Sequence, residues 1–262
     1  MFFICGKNKR TSTESVDIIE KIVYEYLKPL GFRKYGRTLH RFVDGDISQV
    51  VNFQNGCLQK NIYNILWINL GIRIPECVER LFNITEPLKK YYHEYECNMR
   101  TCLGTLVDGN DTFYNLKKDP NKIGKDIIER LEKYVIPAFD TLNSRDSILK
   151  HRREYVNFDE LNSHLILLEE AMIFGRRGDL AEATHLFNNY YQHILAQYNH
   201  ELEHSTQTYL KKGQKMLYHN VKTDKLETII ATKSGYVTTY DANDSHLKYL
   251  ENLTQSLGIT IL

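Results

Sequence analysis

Residues 38–53 read TLHRFVDGDISQVVNF, and this stretch decides the fold. Two runs rich in β-branched and aromatic residues, 38–43 and 47–53, lie on either side of Asp44–Asp46. The Asp-Gly pair within this turn accepts the positive φ angles of a tight connection. The stretch therefore predicts an antiparallel β-hairpin.

Three more strands are predicted further along the chain, at residues 62–74, 99–106 and 112–116. In the first of them, Ile68 and Leu70 alternate with Asn69 and Gly71, which is the period of a strand with one buried face. The last two lie on either side of a short turn at 108–110. Short turns between the strands favour antiparallel pairing over a doubly wound parallel sheet.

Helices are predicted at both ends of this strand-rich region. Thr11 and Glu14 have the spacing of a capping box, and an apolar stripe follows as far as Leu30. A second helix is predicted from Asp119 to about Leu142. The order helix, strands, helix indicates an α+β domain, in which helices cover an antiparallel sheet.

The character of the chain changes after this second helix. A charged stretch, 144–154, reads as a solvated linker or helix face, and we expect an α+β domain at 1–147 and a mainly helical segment at 148–262. Within that segment, the runs 226–231 and 236–240 lie on either side of Ser234-Gly235 and predict a terminal hairpin.

The bulk composition narrows the class of protein. The formal net charge is +1, which disfavours nonspecific binding to nucleic acid, since such binding normally needs a basic excess. The five cysteines include no C-x-x-C pair, so reduced thiols in a cytoplasmic protein are expected. No run approaches the ~20 apolar residues of a membrane span, so no membrane contact is expected.

An ordered set of short pieces carries a family resemblance. The pieces are 27–34 (LKPLGFRK), 36–38, Arg41, 50–54, 70–72, 97–100, 104–106 and 135–137. Together they resemble a bacterial family catalogued as domain of unknown function 4304, over about residues 13–150. Where that family tends to place a tryptophan pair, this chain has Phe113-Tyr114.

The resemblance implies no established activity. Some relatives of this kind look like accessory or immunity proteins of bacterial toxin systems. In the C-terminal part, residues 171–187 are similar to one tetratricopeptide-type helical hairpin, and an ordinary helical hairpin explains them equally well.

Residues 200–204 spell His200-Glu201-Leu202-Glu203-His204, a literal H-E-x-x-H. On a helix, His200 and His204 lie one turn apart and can share a zinc ion, while Glu201 can polarise a bound water. Against this, charged and hydroxyl residues stand where a buried zinc helix is apolar, and no third ligand stands close by. Apart from Glu201 in this alternative, no residue is assigned a catalytic role, and apart from zinc no cofactor is expected.

A second candidate is a surface for interaction with a partner. Arg37, Arg41 and Arg100 fall in the region of family resemblance and would form a cationic, aromatic-lined surface if they shared one face of the sheet. Gln54, Phe113 and Tyr114 complete this candidate surface. The alternative is that the arginines pair with Asp44, Asp46 or Glu96 as scaffold salt bridges.

These observations favour a noncatalytic protein-interaction module, with an immunity or accessory role towards a bacterial toxin or effector as its concrete form. The helical segment would supply a second contact. Two alternatives stay open: a metal-dependent hydrolase built on the H-E-x-x-H helix, and a nucleic-acid-binding protein that uses the arginine-bearing strands.

Overall fold

The computed structural model describes residues 11–58, 63–81, 89–158, 163–203, 205–220, 225–240 and 244–261. The chain divides into two compact units, Met1–Leu161 and Asn162–Leu262. The domain division expected at 147/148 stays a prediction, and that position falls inside a helix, Arg145–His151. Among the helices described, none is both long and apolar enough to cross a membrane.

The first unit is built on one antiparallel sheet. Its strands are β1 (Arg33–Tyr35), β2 (Thr38–Val43), β3 (Ile47–Leu58), β4 (Tyr63–Arg73), β5 (Met99–Cys102) and β6 (Tyr114–Asn115). The first five lie side by side in chain order, and β6 pairs with β4 beyond the end of β5. Together with the helices described below, this sheet confirms the predicted α+β class.

The hairpin predicted from residues 38–53 is confirmed. Val43 pairs with Ile47, and the turn between them holds Asp44 at φ 47° and Gly45 at φ 82°. Positive φ costs little at glycine and at aspartate, whose short side chain tolerates the left-handed region. The Asp-Gly pair therefore fixes where the chain reverses and, with it, the register of β2 against β3.

Helices pack against one face of the sheet. The first, α1 (Ser12–Leu27), starts with the predicted capping box, in which Thr11 Oγ1 accepts from the Glu14 N–H and Glu14 accepts from the Thr11 N–H. It packs against α4 (Pro120–Arg130), which continues through a π-helical turn, Leu131–Val135, into α5 (Ile136–Thr141). The predicted helix from Asp119 to about Leu142 is thus confirmed.

The core lies between these helices and the alternating inward residues of the central strands. Val51, Phe53, Ile68 and Leu70 are all buried. A fully buried side chain of this size stabilises the fold by roughly 1.5–3 kcal/mol relative to its exposed state. The β3–β4 pair supplies all four of these side chains and therefore contributes much of the core of the first unit.

One polar side chain, Gln49, is buried within this core. Its amide donates to the carbonyl oxygens of Phe139 at 2.5 Å and Leu142 at 3.2 Å, and its Oε1 accepts from Arg41 Nε at 2.7 Å. These bonds satisfy carbonyls at the end of α5, where a helix leaves acceptors without intrahelical partners. Gln49 thus joins the sheet to the helix layer.

The region 99–116 differs from the prediction of two strands. β5 ends at Cys102, and residues Leu103–Asp108 form a helix, α3. Cys102 Sγ accepts a hydrogen bond from the Thr105 N–H, which caps this helix. A Cβ at Gly104 would collide with Thr112, so the following loop packs back on α3. Of the predicted strand 112–116, only β6 forms, and it pairs with β4.

Of the two forms suggested for the charged stretch 144–154, a solvated linker or a helix face, the structure shows a helix. It contains α6 (Arg145–His151) and the start of a 3₁₀ segment, Arg152–Phe158, and Arg152 is only 1% exposed. Arg145 binds three carboxylates: Asp44 and Asp46 of the hairpin turn and Glu76 of α2 (Pro75–Leu81). The hydrogen bonds to Glu76, the largest contributor, and to Asp46 raise the pKa of Arg145 above its usual range.

The second unit begins with a helical hairpin, α7 (Ser163–Arg177) and α8 (Leu180–Glu203), joined at Gly178, which has φ 85°. A third helix, α9 (Ser245–Leu257), packs against both. The mainly helical character predicted for this part of the chain is confirmed. The likeness to a tetratricopeptide unit stays a prediction.

Between α8 and α9 lie the strands β7 (Ser205–Leu210), β8 (Lys215–Asn220), β9 (Lys225–Ile230) and β10 (Gly235–Tyr240). The two predicted strands exist, but their predicted pairing with each other is wrong: β9 pairs with β8 and β10 with β7. Residues 211–214 lie opposite 231–234, so the β7–β10 pair continues into the β8–β9 pair without a change of register. We call the described residues of 205–240 the β-arm, one long hairpin with a bend in the middle.

Candidate functional site

The face of the sheet opposite the helices divides into a covered half and an open half. Over the covered half, Tyr92 packs edge-on to Phe42, and its ring lies 4.0 Å from the Arg73 guanidinium. Cys97 lies against Gly71, where a Cβ would come within 2.7 Å of the thiol sulfur. The segment 89–98 therefore closes this half and leaves the other half, towards β5, open.

The open half contains a cleft of about 650 Å³. The strand register places its side chains on one face, because Gln54 pairs with Trp67, Asn69 with Cys102, and Gly71 with Arg100. The lining residues are Gln54, Trp67, Asn69, Glu94, Asn98, Arg100, Thr101, Cys102, Thr105 and Asp111. Polar and charged groups dominate this set, with one aromatic wall.

Arg100 is the cation of the cleft. Its Nε donates to a carboxylate oxygen of Glu94, which is buried in the 3₁₀ turn Glu94–Glu96. Half of the Arg100 side chain remains exposed. A guanidinium held on one side by a buried carboxylate has a fixed plane and further N–H donors for an acceptor on a partner.

The aromatic wall consists of Trp67 and Phe113, whose rings meet edge to face at 6.0 Å. Phe113 is 45% exposed. Trp67 packs over Gly56 of the neighbouring strand, where an added Cβ would collide with the indole ring. Aromatic rings of this kind offer apolar area at low entropic cost, as they do in protein interfaces.

Cys102 carries the thiol of the cleft, and its contacts are structural. Its sulfur accepts from the Thr105 N–H at 3.3 Å and lies 3.3 Å from Asp111 Oδ1. An activated cysteine needs a neighbouring base or cation. No histidine is among the lining residues, and the one cation among them, Arg100, is bound to Glu94. The arrangement can bind and orient a ligand through hydrogen bonds, charge and apolar contact.

The predicted interaction residues are only partly brought together. Gln54 and Arg100 line the cleft, and Phe113 contacts its aromatic wall. Tyr114 points to the other side of the sheet, where its hydroxyl donates to Asp126 at 2.7 Å. Burial, followed by this bond, raises the pKa of Tyr114 above its usual range.

Two of the predicted arginines lie elsewhere. Arg37 binds Asp17 and Glu20 of α1, and Arg41 binds Asp140 of α5 at 2.6 Å. Arg41 therefore faces the helix layer, on the opposite side of the sheet from Arg100. The scaffold salt bridges weighed in the sequence thus exist, with partners other than Asp44, Asp46 and Glu96.

The H-E-x-x-H string falls at the end of α8. His200 is exposed there, Glu201 accepts from Gln197 Nε2 at 3.0 Å, and His204 lies outside the described residues. Within the described ranges, no group of three or more His, Cys, Asp and Glu side chains is placed to hold a metal ion. The zinc site therefore stays a prediction.

Sequence reasoning missed several cleft residues, among them Trp67, Asn69 and Glu94. The signal for two of them was present in β4, where Trp67 and Asn69 alternate with the core residues Ile68 and Leu70. For Glu94 there was no such signal, because the 3₁₀ turn that places it beside Arg100 belongs to no periodic element.

The fold and the cleft define the first unit as an α+β domain with a polar, aromatic-walled cleft on its sheet. Residues 23–141 match the family described as Domain of unknown function (DUF4304). The resemblance seen in the sequence is therefore confirmed over the N-terminal part of the chain. Comparisons with curated proteins and with solved structures gave no match.

Proposed function

We propose that the first unit is a noncatalytic module that binds another protein through the cleft on the open half of its sheet. One observation carries this proposal: Arg100, fixed by Glu94, stands in the same cleft as the Trp67–Phe113 wall. Arginine and aromatic side chains are the residues that dominate the energy of protein interfaces.

The chemistry of the cleft supports binding over bond-making. Its thiol caps a helix and contacts the carboxylate of Asp111, while its other carboxylate, Glu94, is bound by Arg100. Its amides Gln54 and Asn69 bond to each other at 2.6 Å. Such a set offers hydrogen bonds to a peptide and holds its own side chains in place before the partner arrives.

The concrete form of this proposal is an immunity or accessory role towards a bacterial toxin or effector, in which the domain occludes the active surface of its target. The family resemblance motivates this form. If a gene beside this one encodes a toxin, co-production of the two proteins should restore growth of the host cell, and an Arg100→Glu variant should abolish that protection.

A photo-crosslinking amino acid at position 113 tests the proposal directly, with position 21 on the exposed surface of α1 as the control. A protein should be captured from position 113 only. Arg100→Glu should then weaken binding of that purified protein by tenfold or more, which is about 1.4 kcal/mol, while Lys21→Glu leaves it unchanged. Equal capture from both positions, or full affinity in the Arg100→Glu variant, would contradict the proposal.

A further inference from the structure

The outer half of the β-arm carries three exposed aliphatic side chains on one face. Leu217, Leu226 and Ile230 are 64%, 69% and 56% exposed. Leu217 pairs with Thr228, and residues 226, 228 and 230 alternate along β9, so all three point to the same side. Single exposed aliphatics are common, but three on one face of a two-stranded ribbon mark a contact surface. We call these three residues the aliphatic strip.

The opposite face of the same ribbon carries the half-buried pair Met216 and Ile229 and, beside it, a polar cluster. There the Tyr218 hydroxyl donates to Glu227 at 3.0 Å, and Asn220 Nδ2 donates to the same carboxylate at 3.0 Å. Within the described residues of the β-arm, Glu227 is the only acidic side chain. It is therefore already engaged on the side away from the aliphatic strip.

Lysines accompany the aliphatic strip. Lys215 pairs with Ile230 and shares its face, and three more stand at the bend: Lys211, Lys212 and Lys233. All four are exposed.

The backbone of the bend is fixed. The Lys212 N–H donates to Ser234 Oγ at 3.0 Å, and the Gly213 N–H donates to the Ala231 carbonyl at 2.7 Å. Leu210 and Ala231 are buried beneath it. The aliphatic strip therefore ends at the lysines of the bend, where the backbone is held in place by these hydrogen bonds.

We propose that the aliphatic strip docks an acidic protein segment that also carries apolar side chains. Charge complementarity is the argument for this partner, since carboxylates opposite Lys215 and the bend would meet cations while apolar side chains cover the strip. An extended segment fits best, because adding a strand to a ribbon supplies main-chain hydrogen bonds and places alternate side chains on one face. This surface is independent of the cleft in the first unit.

Two other partners, a second copy of the chain and single-stranded nucleic acid, fit the aliphatic strip less well. A second copy of the chain would bring the lysines of one β-arm against those of another, which costs energy by like-charge repulsion. Single-stranded nucleic acid would find cations, but the strip offers branched aliphatic side chains in place of planar rings on which bases stack.

The test uses the full chain and a fluorescent synthetic peptide of alternating valine and glutamate, followed by anisotropy. We expect binding that weakens as salt is added. Leu226→Ser and Lys215→Glu, measured separately, should each raise the Kd by tenfold or more. Leu180→Ser is the matched control, because Leu180 is an exposed aliphatic residue of α8 in the same unit. It should leave the Kd unchanged.

Three results would overturn the proposal. One is absence of binding to the valine-glutamate peptide, or equal binding to its valine-lysine counterpart. Another is binding of a single-stranded oligonucleotide that Lys215→Glu abolishes while the acidic peptide does not bind. The third is a concentration-dependent dimer that Leu226→Ser dissociates. Since a Trp67→Ala change lies in the first unit and should not affect peptide binding to the β-arm, failure here is distinguishable from failure of the cleft proposal.

Discussion

The indole ring of Trp67 lies over Gly56, so the glycine on one strand determines where the aromatic wall on the next strand can stand. The two residues are diagonal neighbours on the open face of the sheet, since Gln54 pairs with Trp67 and Gly56 with Ile65. A side chain at position 56 would fill the space that the ring now occupies. The cleft thus depends on the absence of a side chain as much as on the side chains present.

A Gly56→Ala substitution should displace the indole and destabilise the first unit by about 1–3 kcal/mol, because the added methyl group overpacks a filled site. Trp67 is the single tryptophan of the chain, so the shift of its fluorescence emission reports the displacement directly. Gly235→Ala is the control, since a Cβ there meets nothing within 4 Å. An unchanged emission spectrum in Gly56→Ala would show that the ring does not rest on the glycine.

Replacing Arg145 by methionine should cost about 3–5 kcal/mol of unfolding free energy, because the buried carboxylate of Glu76 loses its cation. Denaturant titration measures this loss. A Glu76→Gln change in the same chain should recover part of it. By contrast, Arg130→Met removes partly exposed pairs with Asp108 and Asp126 and should cost at most about 1 kcal/mol. Equal losses in the two variants would contradict the role given to Glu76.

A Gln49→Leu substitution should destabilise the first unit by about 1–3 kcal/mol, since it leaves the Phe139 and Leu142 carbonyls without their donor. Gln54→Leu is the same chemical change on the opposite face of the same strand, where the side chain is exposed, and it should stay within about 0.5 kcal/mol. Thermal or denaturant unfolding distinguishes the two. If both variants unfold alike, the buried amide does not join the sheet to α5.

The stability of the first unit should fall as the pH drops below about 6.5, the ordinary pKa of histidine. Burial, followed by the charge of Arg33, lowers the pKa of His40 in the folded chain. The unfolded chain then takes up a proton that the folded chain does not, so unfolding becomes easier with acid, by at most about 1.4 kcal/mol per pH unit.

Denaturant titrations followed by Trp67 fluorescence, which reports the first unit only, measure this slope. A His40→Asn variant should show a shallower dependence below about pH 6.5, because asparagine does not titrate. An identical slope in the two proteins would assign the pH dependence to other groups.

Local signals in the sequence were enough to predict the elements that begin or end at a turn or a capping motif. The Asp44-Gly45 turn predicted its hairpin, and the Thr11–Glu14 capping box predicted the start of α1. The helix α3 was not predictable in this way. Its sequence is β-prone, and what ends the strand is a cap from the Cys102 sulfur together with the packing of Thr112 on Gly104.

Partner choice was the other part that the sequence did not determine. The arginines of the candidate surface were recognised as ion-pairing residues, but Arg41 binds Asp140, which is distant along the chain. In the β-arm, Ser234-Gly235 has the composition of a hairpin turn and lies in a bend instead, because the register continues past it. The type of a residue predicts that its side chain forms an ion pair or that the chain turns there. Which side chain completes the ion pair, and which strands pair across the turn, depends on the tertiary fold.

The network around Arg145 places the folding boundary of the first unit beyond the region of family likeness. That region ends at residue 141, whereas the guanidinium that binds Asp44, Asp46 and Glu76 comes from α6. A fragment cut at the end of the match would leave three carboxylates crowded together near the tip of the β2–β3 hairpin. Anyone who isolates this domain should keep the chain through His151.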